Sequence, residues 1–271
     1  MRIVIAGSGS FIARAIAAEA AGRALPVLGL RHDAALEGVI GPGDCLINFA
    51  LDPRYKTGPY EADADCDLRA ARAAAAAGAR FVMLSTRRVY GPGYRWNAVE
   101  GMGAGGDETA YGRNKARSEG AITDLPGASI FRLSNIFGYE YDQTQPRGSF
   151  LGLLLASLKQ KHTIFFDMHP DTQRDFLPVE QAAKLILDRV QDGSTGVYNL
   201  GSGNPLRCGS LAQWILDGFG GGELVWTSPA IKDEFFLNMD KWRGQFALPV
   251  DEDTIKDYCM ALGRRLQCEK S

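Results

Sequence analysis

The sequence predicts an α/β fold in which helices cover a parallel sheet and a small mixed region follows at the C-terminal end. Short apolar runs alternate with helix-forming segments through the first two thirds of the chain, which is typical of parallel βαβ units. The first run, at 3–6, passes through two glycines directly into a helical segment, as the first unit of such a sheet requires. The last third is less regular, so we expect a separate small region there.

Each element is predicted from its local composition. Strands are short apolar runs, and helices are alanine-rich or carry apolar residues at helical spacing. The helix at 65–77 ends before Gly78, because glycine readily adopts the conformation that closes a helix. In chain order we predict strand 3–6, helix 11–22, strands 26–30 and 45–50, helix 65–77, strand 81–85, a glycine-rich loop at 91–107, helix 108–122, strand 128–133, helices 149–160 and 179–191, strand 197–200 and helix 209–218.

The composition limits the kinds of protein that this chain can be. Its 271 residues can bury one large core, or one domain with a smaller cap. The net charge of −2 gives no basic bias towards nucleic acid, and no apolar run reaches the ~18–20 residues of a membrane span. The five cysteines form no Cys-x-x-Cys pair or Cys/His cluster. We therefore expect no metal, reduced thiols and a cytoplasmic location.

The segment after the first strand, Gly7–Ala13, predicts a dinucleotide-binding turn. Gly7 permits a tight turn, Gly9 lets the backbone approach a pyrophosphate, and the start of the helix supplies amide donors and a partial positive charge. A plain βα turn is the alternative interpretation. The predicted architecture is thus a Rossmann-type, doubly wound parallel sheet, with a mainly dinucleotide-binding region at 1–165, a mainly substrate-binding region at 166–271, and a return to the sheet at 179–203.

The end of the second strand predicts which nicotinamide cofactor is preferred. NAD enzymes tend to have an acidic residue there, which binds the ribose 2′-hydroxyl. In this chain Arg31 follows the strand, and Asp33 comes three residues past its end. A guanidinium pairs well with the extra phosphate of NADP, so NADP(H) is predicted in preference to NAD(H). A solvated loop arginine is the alternative interpretation.

Tyr111 and Lys115 predict proton chemistry. Side chains four residues apart share one face of a helix. A phenol has a reference pKa of ~10, which a neighbouring ammonium lowers towards neutrality. The pair therefore suits proton transfer at a carbinol or a carbonyl group. An exposed tyrosine and lysine on a surface helix are the alternative interpretation.

Ser85 and Thr86 end the fourth strand, at the edge where parallel sheets bind ligands, and their hydroxyls can hydrogen-bond a reacting oxygen.

With these motifs the chain resembles the extended short-chain dehydrogenase/reductases, in the branch of NAD(P)-dependent nucleotide-sugar epimerases, dehydratases and ketoreductases. The matching motifs follow the family's order: Gly7–Ala13, Asn48–Ala50, Ser85–Gly91, Tyr111–Lys115, Arg132–Gly138, Gln173–Val179 and Tyr198–Gly203.

The resemblance implies a role for each matching residue, and it implies a homodimer. Tyr111 would be the general acid/base, Lys115 would lower its pKa and bind the nicotinamide ribose, and Thr86 would hydrogen-bond the sugar hydroxyl or ketone. The implied cofactor-binding residues are Gly7, Gly9, Ser10, Phe11, Ile12, Arg31, His32, Phe49, Ala50, Leu51, Ser85, Tyr111 and Lys115. The implied substrate-binding residues are Thr86, Arg87, Arg88, Tyr90, Asn135 and Arg174. Arg174 matches an arginine that contacts the nucleotide diphosphate, and a structural pairing with Asp175 is the alternative.

Departures from the family pattern narrow the predicted reaction. Ser10 and Ala13 stand where the family usually has glycine. Arg87 and Arg88 stand where 4,6-dehydratases carry the Asp and Glu that move protons during water elimination, and guanidiniums cannot do that at neutral pH. We therefore predict an NAD(P)H-dependent reductase of a keto nucleotide sugar of the 4-keto-6-deoxy type. An NAD-dependent nucleotide-sugar epimerase and a non-catalytic dinucleotide-binding protein are the alternatives.

Overall fold

Strands and helices alternate along the chain in the computed structural model, which describes residues 1–102, 105–106, 108–140, 149–228, 230, 232–243 and 250–269. The first part contains β1 (Ile3–Ala6), α1 (Phe11–Gly22), β2 (Val27–Leu30), β3 (Cys45–Asn48), α2 (Pro53–Thr57), α3 (Cys66–Ala76), β4 (Arg80–Thr86), α4 (Ala110–Ile122) and β5 (Ala128–Leu133). The rest contains β6 (Asn135–Phe137), α5 (Phe150–Lys161), β7 (Thr163–Phe166), β8 (Gln173–Pro178), α6 (Val179–Asp192), β9 (Gly196–Leu200), β10 (Pro205–Arg207), α7 (Cys208–Phe219), β11 (Glu223–Trp226), α8 (Asp240–Arg243) and α9 (Glu252–Cys268). Short 3-10 turns lie at Arg87–Val89 and Pro92–Tyr94.

The largest sheet has the strand order β2-β1-β3-β4-β5-β9, and every neighbouring pair is parallel. Strand β1 pairs with β2 on one side and with β3 on the other, so the chain changes direction across the sheet at this point. Open α/β sheets bind ligands at the carboxyl ends of their strands beside such a point. The predicted Rossmann-type, doubly wound parallel fold is confirmed.

The core beside this edge is built from buried strands and an alanine-rich helix. Every residue of β1 and β3 is buried, as expected for strands covered on both faces. Helix α3 turns Leu68, Ala71 and Ala74 into this core. Because these side chains are mostly small, the helix can approach the sheet closely, and its buried face is fixed against the strands.

The chain forms two compact units. The first unit comprises Met1–Ser134 and Glu180–Leu200, and the second comprises Asn135–Val179 and Gly201–Ser271. The segment 135–165, which the sequence assigned to the dinucleotide-binding region, lies in the second unit because β6 pairs with β8 and not with the large sheet. The second unit also contains β10 beside β8, and a parallel pair of β7 and β11. The binding roles of the two regions stay predictions.

Segment 98–100 is tied to the carboxyl ends of β5 and β9 within the first unit. The backbone amide of Asn199 donates to Glu100 Oε1 at 2.9 Å, and its side-chain amide donates to the Ala98 carbonyl at 2.7 Å. Arg132 donates to the Glu100 carbonyl at 2.9 Å. These bonds fix the middle of the predicted glycine-rich loop against the sheet.

The described residues include no helix with the length and apolar character needed to cross a bilayer. Within the same ranges, no three His, Cys, Asp or Glu side chains gather as they would around a metal ion. Each cysteine is a free thiol, and the buried positions are Cys45, Cys208 and Cys259. Burial raises the pKa of the Cys45 thiol to about 12, so this group remains protonated at neutral pH.

Glycine permits an unusually close contact between α7 and α9 in the second unit. A Cβ added at Gly263 would lie 2.1 Å from the Ile215 carbonyl oxygen and 2.6 Å from the Phe219 amide nitrogen. We expect Gly263→Ala to force the helices apart and to lower the free energy of unfolding by about 1–3 kcal/mol, measured as a fall in Tm. Gly120→Ala in α4 is the control, because a Cβ there meets nothing within 4 Å and alanine is the better helix former. An unchanged Tm for Gly263→Ala would contradict the close contact.

Candidate active site

The turn between β1 and α1 requires glycine at one position and leaves open space at the next glycine. Gly7 has a φ of +77°, and a Cβ there would lie 2.9 Å from the Phe49 carbonyl carbon. A Cβ at Gly9 would meet nothing within 4 Å. Ser10, which replaces a family glycine, caps α1, because its Oγ accepts a hydrogen bond from the Ala13 amide at 3.5 Å.

The amino end of α1 fits an anionic group. The helix begins at Phe11, with Ile12 in its first turn. The first amides of a helix have no acceptor inside the helix, and the helix dipole adds a partial positive charge there. Together with the open space over Gly9, these features make the predicted turn suitable for the pyrophosphate of a dinucleotide.

A pocket of about 240 Å³ lies at the carboxyl ends of β1 and β3. It contains the predicted cofactor residues His32 and Ala50, together with Asp33, Glu37 and Arg69. Its lining therefore offers both carboxylates and a guanidinium to a polar ligand.

Arg31 is paired with Asp33. Its guanidinium donates to the two Asp33 carboxylate oxygens at 3.1 and 3.3 Å, and its side chain is 81% exposed. The hydrogen bond from Arg31 lowers the pKa of Asp33, which therefore stays ionised at neutral pH. The structure thus sets an arginine and a carboxylate together just after β2.

The connection after β3 contains Phe49, Ala50 and Leu51, which the sequence predicts to bind the cofactor. Strand β3 ends at Asn48, two residues earlier than predicted, because the Asn48 side chain turns the backbone. Its Oδ1 accepts from the Ala50 amide at 3.1 Å, and its Nδ2 donates to the Ala50 carbonyl at 3.2 Å. Nδ2 also donates to Asp67 Oδ1 at 2.7 Å, which links this connection to α3.

Tyr111 and Lys115 lie on one face of α4, as their spacing predicts. The helix is capped by Thr109, whose Oγ1 accepts from the Gly112 amide at 3.0 Å. Tyr111 is half-buried, whereas Lys115 is buried, with its Nζ 5.8 Å from the centre of the Tyr111 ring. Lys115 Nζ donates to Asp67 Oδ2 at 2.6 Å.

The Lys115 ammonium keeps its charge despite its burial. Burial acts to lower the pKa of this lysine, but the Asp67 carboxylate and then the Tyr111 phenol favour the charged form, and the net result is a raised pKa. A second hydrogen bond runs from Nζ to the Leu84 carbonyl of β4 at 2.9 Å. The structure therefore brings a charged ammonium next to the phenol. Asp67 was not predicted from the sequence.

Thr86 and Ser85 face different surroundings, because successive residues of a strand point to opposite faces. Thr86 is half-buried at the end of β4, and its Oγ1 accepts from the Arg88 amide at 3.3 Å. Ser85 is buried and donates to the Glu119 carboxylate of α4. The Ser85 hydroxyl is therefore engaged inside the protein, and the contact of Ser85 with the cofactor stays a prediction.

The turn after Thr86 carries Arg87 and Arg88, both half-buried, and then turns Tyr90 inwards. Tyr90 is 1% exposed, and its hydroxyl donates to Asn199 Oδ1 at 2.6 Å. Burial raises the pKa of Tyr90 to about 12. Tyr90 is therefore a buried residue, and its contact with substrate stays a prediction.

Asn135 and Arg174 belong to the second unit. Asn135 opens β6 and pairs with Phe176 of β8. Arg174 donates to the Asp233 carbonyl at 2.8 Å and to its carboxylate at 2.9 Å. The alternative partner, Asp175, is buried and accepts bonds from other groups, the closest being the Ser202 amide at 2.7 Å. Arg174 thus has a structural partner other than the one predicted, and its contact with a diphosphate stays a prediction.

Ser134 is a candidate that the sequence interpretation did not single out. It directly follows β5, the strand beside β4, and its amide donates to the Leu200 carbonyl at 2.9 Å. Its Oγ is buried, and no described group forms a hydrogen bond with it. A buried hydroxyl with this property, at the ligand-binding edge of the sheet, suits a polar atom of a bound molecule.

Comparison with known proteins identifies one family model and several solved structures that are similar to this chain. A family model described as "NAD dependent epimerase/dehydratase family" matches residues 3–201. UDP-N-acetylglucosamine 4-epimerase from Methanobrevibacter ruminantium M1 is 17% identical, with 97% of each chain covered and a TM-score of 0.80. A dTDP-4-dehydrorhamnose reductase from Clostridium acetobutylicum is 16% identical, with 97% of this chain and 99% of that chain covered and a TM-score of 0.74. UDP-glucose 4-epimerase from Thermus thermophilus, in complex with NAD, is 16% identical over 97% and 99% of the two chains, with a TM-score of 0.73. These structures share the fold.

Proposed function

The chain belongs to the NAD dependent epimerase/dehydratase family, and we propose that it is an NAD(P)H-dependent reductase of a keto nucleotide sugar, of the 4-keto-6-deoxy type. The predicted family is thereby confirmed, and the chain is an NAD(P)-dependent enzyme of the extended short-chain dehydrogenase/reductase type. The observation that carries the proposed reaction is the charged, buried Lys115 ammonium 5.8 Å from the centre of the Tyr111 ring. Arginines follow Thr86 where an elimination would need carboxylates, which supports reduction.

In the proposed mechanism, Tyr111 donates the phenolic proton to the oxygen of the ketone as that oxygen becomes an alkoxide. Lys115 stabilises the phenolate that is left, because its ammonium lies beside the ring. The Thr86 hydroxyl donates a second hydrogen bond to the same oxygen and spreads its charge. A bound nicotinamide dinucleotide would supply the hydride.

The residues that would hold this cofactor lie in the first unit. The Gly7 turn and the start of α1 would bind the pyrophosphate, and the pocket with His32, Asp33 and Ala50 would take the adenosine end. The NAD complex of the Thermus thermophilus epimerase supports a nicotinamide dinucleotide as the cofactor. We propose a preference for NADP(H), because Arg31 stands where a 2′-phosphate could share its guanidinium with Asp33.

Arg31→Ala should weaken NADPH binding about tenfold and leave NADH binding nearly unchanged, because only NADPH carries the extra phosphate. Fluorescence titration of both reduced cofactors measures the two Kd values. Arg54→Ala is the matched control, since it removes an exposed guanidinium that also pairs with a carboxylate, Asp52. Equal affinities for NADPH and NADH in the wild-type protein would refute the proposed preference.

A nucleotide-sugar epimerase is the second candidate, and the epimerases among the similar structures favour it. The same three residues, Tyr111, Lys115 and Thr86, would then act twice. They would serve the oxidation of the sugar to a ketone and the reduction of that ketone after it has rotated in the site. An epimerase should retain its cofactor through purification and convert substrate without added NADPH. A reductase should consume one NADPH for each ketone reduced, and this stoichiometry separates the two.

A thermal-shift screen tests the substrate class directly. Nucleotide diphosphates and nucleotide sugars, added with NADPH, should raise Tm above the value with NADPH alone, since any ligand of the folded state stabilises it. We expect the diphosphate moiety to be necessary for this shift. A panel in which no nucleotide raises Tm would contradict a nucleotide-sugar substrate. The proposed homodimer and cytoplasmic location stay predictions.

A further inference from the structure

Asp67 occupies a core position at the start of α3 and binds the proposed catalytic lysine. One carboxylate oxygen accepts from Lys115 Nζ at 2.6 Å, and the other accepts from Asn48 Nδ2 at 2.7 Å. The side chains of Lys115 and Asp67 are only 6% and 4% exposed. A carboxylate held on both oxygens cannot swing away from the lysine, so the ion pair has one geometry.

The surroundings of Lys115 leave its charge dependent on this carboxylate. The titratable groups that face the ammonium are Asp67 from α3, Tyr55 from α2 and Tyr111 from its own helix. Strand β4 contributes the Leu84 carbonyl, which accepts at 2.9 Å but carries no full charge. A buried ammonium without an anionic partner loses its proton readily.

The orientation of the ammonium also follows from these bonds. An ammonium has three N–H donors. Two of them form hydrogen bonds, one with the Asp67 carboxylate and one with the Leu84 carbonyl. The third is left for a further acceptor, and Nζ lies 5.8 Å from the centre of the Tyr111 ring and 6.0 Å from that of the Tyr55 ring.

We propose that Asp67 is a positioning residue of this enzyme, which keeps Lys115 protonated and directs its free N–H towards the reaction site. The inference rests on the proposed function for its catalytic meaning. Asn48 completes the arrangement, because its Nδ2 donates to the Asp67 carboxylate and fixes it.

Nuclear magnetic resonance of the lysine ¹⁵Nζ nuclei tests this proposal in the whole protein. The Lys115 signal is assigned by its loss in Lys115→Met. In the wild-type protein we expect this signal to keep its ammonium shift up to the highest pH at which the protein stays folded. In Asp67→Asn it should titrate at least about one unit below the ordinary lysine pKa of ~10.4, since the largest effect that opposes burial is then removed. Asp63→Asn, which removes an exposed carboxylate just before α3, should leave the signal unchanged.

The double variant Asp67→Asn/Lys115→Met covers the case in which Asp67→Asn does not fold. If the double variant folds and the single variant does not, the unpaired ammonium is the cause, and the proposal is supported. If neither folds, Asp67 has a structural role independent of the lysine, and the proposal fails. An unchanged Lys115 titration in folded Asp67→Asn also overturns it. None of these measurements needs substrate or cofactor, so they stand apart from the test of the reductase reaction.

Discussion

Tyr111→Phe should lower kcat by about 10²–10⁴-fold, because it removes the group proposed to protonate the developing alkoxide. The ring and its contact with the Lys115 ammonium would remain, so cofactor binding should change little. The rate is measured as NADPH oxidation with the nucleotide sugar that the thermal-shift screen identifies. The expected signature is therefore a large fall in kcat with a nearly constant Kd for NADPH.

Tyr198→Phe is the matched control for this experiment. Its hydroxyl donates to the Thr195 carbonyl at 3.0 Å, in the first unit but away from α4. We expect nearly wild-type kcat for this variant. Turnover by Tyr111→Phe at the wild-type rate would show that another group supplies the proton. A Tyr111→Phe variant that kept full biological activity, in a protein that turned over no substrate, would favour the non-catalytic alternative.

Glu119→Ala should cost about 3–5 kcal/mol of unfolding free energy, the largest stability effect that we expect in this chain. Glu119 of α4 pairs with Arg132 of β5 at 2.7 Å, and both side chains are at most 4% exposed. Removal of the carboxylate leaves a buried guanidinium without a counter-charge. It also takes away the acceptor of the Ser85 hydroxyl. Urea unfolding at neutral pH measures the loss.

Asp33→Ala provides the comparison for the buried pair. It breaks an ion pair whose side chains are 81% and 57% exposed, and solvent screens such a pair. We expect a change between 0 and about 1 kcal/mol. If Glu119→Ala unfolded at the same urea concentration as Asp33→Ala, the buried pair would not be a main support of the first unit.

The large sheet could be predicted from the sequence because each strand is an apolar run bounded by glycine or a helix. The short strands of the second unit could not. Strand β6 has three residues and gains its partner β8 from a distant part of the chain. Three residues are too few to show a strand period, and pairing between distant segments leaves no local signal.

The Tyr111–Lys115 pair was predictable because helical spacing alone places both residues on one face. The burial of Ser85 and Tyr90 was not predicted, because a motif gives the order of residues but not the direction of each side chain. Asp67 did leave a signal. It stands three, four and seven residues before Ala70, Ala71 and Ala74, so it continues the apolar stripe of α3. A carboxylate in an apolar stripe indicates a buried cationic partner. The sequence does not identify this partner, because it depends on how α3 packs against the rest of the chain.

The anchoring of segment 98–100 has a consequence for how this protein can change over evolution. A loop fastened at its midpoint behaves as two shorter loops, and each closes with less loss of chain entropy than a single long one. The part before Ala98, which carries the exposed Trp96, can therefore accept substitutions without releasing the part that leads to α4. The two halves of the loop can therefore diverge separately in descendants of this sequence.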